Sequence, residues 1–120
     1  MDRRSLLLAT AAGTAAQVAM VVAGHYSPYV AENFFAVGGL LFSLLAGFGY
    51  ARAARSGWID SLAGGVVAGA LCAFLGIGVS VLLGDVPTSL LAFGTGGSAV
   101  TGLVGGALGR LLAPRGAAAD

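Results

Sequence analysis

The sequence predicts an all-α integral membrane protein, a bundle of four spanning helices packed through glycine, and three observations predict it. The first is composition: of 120 residues, 58% are hydrophobic and 9% charged, with a mean hydropathy of +0.93. A soluble domain carries about 25% charged residues to cover its surface, so the missing polar surface implies a lipid solvent. The second is the spacing of apolar runs, each close to the ~20 residues that cross about 30 Å of hydrocarbon. The third is the placement of six arginines, with no lysine, at alternate ends of those runs.

The first run, Leu6 to Ala23, follows Asp2-Arg3-Arg4-Ser5, a charged lead of the kind that also opens secretory and twin-arginine signals. Its apolar stretch is longer than a usual signal core, so a retained helix over 6–23 is expected. The second run spans 34–51 and the third 61–83, both free of charge in their interiors. The fourth, 89–112, contains Arg110 within a turn of its end, where the side chain can snorkel to the headgroups. One polytopic domain over 1–120 accounts for the chain.

Arg3 and Arg4 precede the first run, Arg52 and Arg55 separate the second from the third, and Arg110 and Arg115 end the fourth. The other connections, 24–33 and 84–88, hold no basic residue. The positive-inside rule then puts both termini in the cytoplasm, with a bacterial inner or plasma membrane the expected location. Tyr50 and Trp58 are expected at the cytoplasmic interface, and Tyr26 and Tyr29 at the outer one.

The 21 glycines sit among Leu, Val, Ala and Phe rather than in a low-complexity context. In lipid, small residues every fourth position mark close backbone approach. The third run carries Gly64, Ala68, Cys72, Gly76, Ser80 and Gly84; the second carries Gly39, Ser43 and Gly47. The fourth carries two such rows, Gly94-Ser98-Gly102-Gly106 and Gly97-Thr101-Gly105-Gly109, which predicts a central helix touching two neighbours, within the fold or at a subunit interface. Helices packed this tightly leave little volume inside one chain, so a conduit is expected between the subunits of a homo-oligomer, a dimer or larger. The two outward hairpins also match weakly, Gly24-His25-Tyr26-Ser27-Pro28 against Gly84-Asp85-Val86-Pro87, suggesting a parallel repeat.

Residues able to do chemistry gather on the outer side: His25, Tyr26, Tyr29, Glu32 and Asn33 before the second run, and Asp85 before the fourth. An imidazole with a carboxylate is a pair that binds a cation or hands on a proton, so these six form the expected vestibule. Solvated loop residues are the plainer alternative. Within the apolar runs, Thr10, Thr14 and Gln17 share one helical face. An amide left unpaired in lipid costs several kcal/mol, so Gln17 must face another helix or water, either as packing glue or as the lining of a path. The net charge of +1 excludes a basic nucleic-acid face.

A lone Cys72 and a single histidine, with no HExxH or CxxC, leave no metal site and no cofactor to expect. Ser27 precedes Pro28 and lacks the elbow of a hydrolase nucleophile, so an enzyme is not expected either. Two of the remaining readings are a small oligomeric channel or carrier for an ion or small solute, and a non-transporting scaffold or accessory subunit. A third is a holin-like permeabilising protein. The consistent arginine bias separates the chain from small four-helix proteins that insert in both orientations.

Overall fold

The computed structural model describes residues 2–55 and 57–112 and is all-α. Its four helices are α1 (Arg3–Tyr26), α2 (Pro28–Ala54), α3 (Trp58–Leu82) and α4 (Ser89–Leu111). All four are long and apolar enough to cross a bilayer. Arg115 lies outside the described residues.

The connection expected as an outer loop over 24–33 is instead almost entirely helix. A single residue, Ser27, separates α1 from α2, in an extended conformation (φ −132°, ψ 105°). Pro28 is the cause: it bars the residue before it from the helical region, and its own fixed φ suits the first helical turn. Tyr29, Glu32 and Asn33 therefore stand on the opening turns of α2, fixed in direction by the helix. At 27 residues and about 1.5 Å per residue, α2 is roughly 40 Å long, more than the hydrocarbon alone requires. The far end of α3 closes differently. Gly84 takes the left-handed region (φ 80°), and the N–H groups of Gly84 and Asp85 reach back to the carbonyls of Val81 and Ser80 at 3.0 Å. That is the Schellman arrangement, which a residue with a Cβ adopts at a cost.

α2 and α3 each pack against all three other helices, whereas α1 and α4 flank that pair without touching each other. Within one chain the central pair is thus α2 and α3 rather than α4. The reason lies in α3, which presents a second small row, Ser61-Gly65-Gly69, beside the Gly64-Cys72-Gly76 row. A Cβ at Gly64 would overlap the Tyr50 ring on α2, and one at Gly76 would sit 2.6 Å from the Gln17 Cβ on α1. A Cβ at Gly69 would lie 2.7 Å from the Ser98 carbonyl oxygen on α4. The two rows of α4 do divide between two neighbours: Gly102 and Gly106 lie on the α3 backbone at Gly65 and Ser61, Gly105 and Gly109 on the α2 backbone at Leu44 and Phe48. A strict parallel repeat of the two hairpins would pair α1 with α4 as it pairs α2 with α3, and the described helices lack that contact.

Tyr50, near the end of α2, is fully buried within the bundle, its hydroxyl donating to Asp60 Oδ2 at 2.7 Å and accepting from the Asp2 backbone N–H at 3.0 Å. Asp2 in turn accepts from the Ser5 hydroxyl. The end of the molecule that carries the arginines is thereby tied across α1, α2 and α3. Trp58 there is exposed, with the Arg110 guanidinium 5.4 Å from its ring centre.

Candidate functional site

The six outer residues do not form one cluster. His25, in the last turn of α1, and Asp85, just past Gly84, meet at 2.8 Å between Nδ1 and Oδ2, joining the first hairpin to the second. Tyr26 stands edge-on to the His25 ring at 5.1 Å and is otherwise exposed. Tyr29 and Asn33 are one turn apart on α2, and the Asn33 amide donates to the Tyr29 carbonyl at 2.9 Å, a local helical contact. Glu32 makes no ion pair or side-chain hydrogen bond among the described residues. No three His, Cys, Asp or Glu side chains converge among those residues either.

Glu32 instead lines a cleft of about 480 Å3 between α2 and α4, with Gln17 of α1 and Ser80 of α3 in its floor. Its walls are apolar, including Phe35 and Leu40 on one side and Phe93 on the other. Phe93 is 80% exposed and Glu32 is exposed, while Gln17 and Ser80 are each 2% exposed, which sets the rim and the depth. Glu32 and Gly39, which lies beside Gln17, are seven residues apart on α2, so the cleft runs roughly 10 Å along the bundle, with Ser80, one turn past Gly76 on α3, nearer its Glu32 end. A single chain thus forms a cleft open at its rim. The cleft exists because the small residues Gly94 and Gly97 of α4 face side chains here rather than backbone: a Cβ at Gly97 would meet only a methyl of Leu40, at 3.5 Å.

Gln17 holds the floor together. Its Nε2 lies 3.2 Å from the Gly39 carbonyl, 3.2 Å from Ser43 Oγ and 3.5 Å from Cys72 Sγ, so one amide on α1 engages α2 and α3. Ser43 donates onward to the Gly39 carbonyl at 3.0 Å, and Cys72 to the Gly69 carbonyl at 3.3 Å. Other buried hydroxyls are left without partners: Thr10, Thr14, Ser80 and Thr95. A buried hydroxyl without a hydrogen bond costs about 1–3 kcal/mol, so native structures leave few of them. Of these, Ser80 faces the cleft.

Sequence reasoning found Glu32 and Gln17 but missed that they share one cavity, and it missed Ser61, Gly65 and Gly69. Both signals were present. Pro28 as a helix start would have put Glu32, Ala36, Gly39 and Ser43 on one helical face, and 61, 65 and 69 stand at the same fourfold spacing as the row that was read. Comparison with known protein families, characterised proteins and solved structures finds no match to this chain.

Proposed function

We propose that this chain is a small carrier-like membrane protein that takes up a small solute or ion in its outer cleft and works as a homo-oligomer in a bacterial inner membrane. Both termini are cytoplasmic on this reading, its small-residue faces pack helices in lipid, and it performs no covalent chemistry. The observation that carries the reading is the cleft itself: about 480 Å3, with a carboxylate at its rim and a buried amide and hydroxyl at its floor. Pockets that hold small molecules have this size and this pattern, apolar walls with a few placed polar groups. A path inward continues along the face of α1 on which Thr14 and Thr10 carry unpartnered hydroxyls. The cytoplasmic half is sealed by backbone contact, which favours alternating exposure of a bound solute over an open pore.

Flux through liposomes containing the purified chain tests this, with monovalent cations, anions, protons and small neutral solutes as permeants. Selective flux that falls at least tenfold in Glu32→Gln or Gln17→Leu is expected. Silence across the panel from a folded protein would overturn transport and leave a scaffold role; unselective leakage insensitive to both substitutions would point to a holin.

A further inference from the structure

We infer that the cleft binds an organic cation with an apolar body and a hydrogen-bonding group on its buried side, toward α3. The inference rests on the reading of the cleft as a solute site and names the chemistry of its occupant.

Charge comes first. The outer connections hold two carboxylates near the cleft and no arginine or lysine. His25 engages Asp85, which leaves Glu32 as the carboxylate at the rim without an opposite charge among the described residues. A cation seated there gains the Glu32 charge and the neighbourhood of the Phe35 and Phe93 rings, which line the cleft and whose quadrupoles favour a cation over an anion. An anion gains neither.

The walls then require an apolar body, because water in such a cleft would face mostly hydrocarbon. A simple lipid chain would satisfy the walls as well, but not the floor. The Ser80 hydroxyl is buried and unpartnered where it lines the cleft, and a methyl terminus leaves it so. An occupant with a hydroxyl, ether or carbonyl on the side it buries against α3 removes that cost. The length of roughly 10 Å between the Glu32 and Gln17 levels fits a compact molecule of a few rings.

Isothermal titration of the detergent-purified full chain tests the assignment with three probes of one shape: tetraphenylphosphonium, tetraphenylborate and (4-hydroxyphenyl)triphenylphosphonium. Saturable binding of both phosphonium ions and none of the borate is expected, with the hydroxylated ion several-fold tighter. Glu32→Gln should weaken both by about tenfold, Ser80→Ala should erase only the difference between them, and Gly97→Leu or Ala36→Phe should abolish binding by filling the cleft. Equal binding of phosphonium and borate, lost in the cleft-filling variants but not in Glu32→Gln, overturns the cation assignment and keeps the cleft as a solute site. Binding that survives both cleft-filling variants, or no saturable binding of any probe, overturns the two together.

Discussion

The two halves of this molecule are built from the same residue types and behave in opposite ways. Toward the arginine-bearing end, each glycine of α4 meets backbone: Gly102 meets Gly65, Gly106 meets Ser61, Gly105 meets Leu44, and Gly109 meets Phe48. Toward the other end the glycines meet side chains, Gly94 against Ile77, Gly24 against Phe35, and Gly38 against Met20. A glycine opposite a carbonyl lets two helix axes close until the backbones touch. A glycine opposite a phenyl or isobutyl group only makes room for that group, and the axes stay apart. Leu40, Phe35, Ile77 and Phe93 therefore hold the half of the α2–α4 seam away from the arginines open, and the cleft is what remains. A small-residue row sets where helices are able to close; the residues facing it set whether they do.

The largest effect should come from inserting a side chain where backbone meets backbone. A Cβ at Gly102 would meet the α3 backbone at Gly65 and Gly69, so Gly102→Leu must push α4 off α3. Overpacking a core costs about 1–3 kcal/mol when side chains can shift; here the obstacle is backbone, and a loss at or above the top of that range is expected. Thermal unfolding followed by circular dichroism in detergent measures it. Gly96→Leu on the same helix, where nothing lies within 4 Å of the added carbon, should leave stability equal or raise it by up to about 1 kcal/mol through helix propensity. Equal effects of the two substitutions would break the account of the closed half.

At the boundary between the halves, Gln17→Leu removes an amide that engages Gly39, Ser43 and Cys72. Ser43 keeps its bond to the Gly39 carbonyl, so only part of the network is orphaned and a loss of about 1–3 kcal/mol is expected. Gln17→Glu sharpens the test. A carboxylate in place of the amide brings a charge into a site 2% exposed, which costs more than the neutral leucine does. The order wild type, leucine, glutamate in melting temperature marks a buried structural amide; glutamate tolerated as well as leucine would mean that water reaches the floor of the cleft.

In the open half the same kind of substitution should be nearly silent in stability. Gly97→Leu places its side chain in the cleft, against only the Leu40 methyl at 3.5 Å, and a change within about 0.5 kcal/mol is expected in the same melt. A destabilisation as large as that of Gly102→Leu would mean that the cleft is closed in solution. The contrast between 97 and 102, two residues of one helix, is the sharpest single comparison between the halves.

How much of this was legible follows from what each signal depends on. Helix number and approximate span came from composition and length, because lipid admits few alternatives to a long apolar helix. Gln17 was legible as a buried amide for the same reason, since hydrocarbon offers it no partner. The outer segment was misread because its polar residues, Tyr29, Glu32 and Asn33, look like a loop when hydropathy is the guide; Pro28 carried the opposing signal, and local backbone chemistry won. Within the chain the packing centres on α2 and α3 because Ser61, Gly65 and Gly69 give α3 a second row, where the sequence was read as carrying one. The cleft was not legible from either rows or polarity. It depends on which residue stands opposite which, and that register is a property of the whole packing rather than of any one helix.

The smallest effect belongs to the contact that crosses the outer end. His25 and Asp85 meet at 2.8 Å with side chains 34% and 24% exposed, so the pair is screened by water, and exposed pairs contribute about 0–1 kcal/mol. His25→Gln should therefore lower stability by a few tenths of a kcal/mol at most, within the scatter of a melt. Its value lies in the other half of the comparison. The pair ties the end of α1 to the connection that carries Val86, which lines the cleft, so releasing it should loosen the open half and leave the closed half as it was. Hydrogen exchange separates the two: faster exchange in residues 84–90 with unchanged protection of the α3–α4 seam around Gly65 and Gly102 is expected. Uniform acceleration along α4 would show instead that the halves unfold as one unit, and that the open end is held by the same contacts that seal the other.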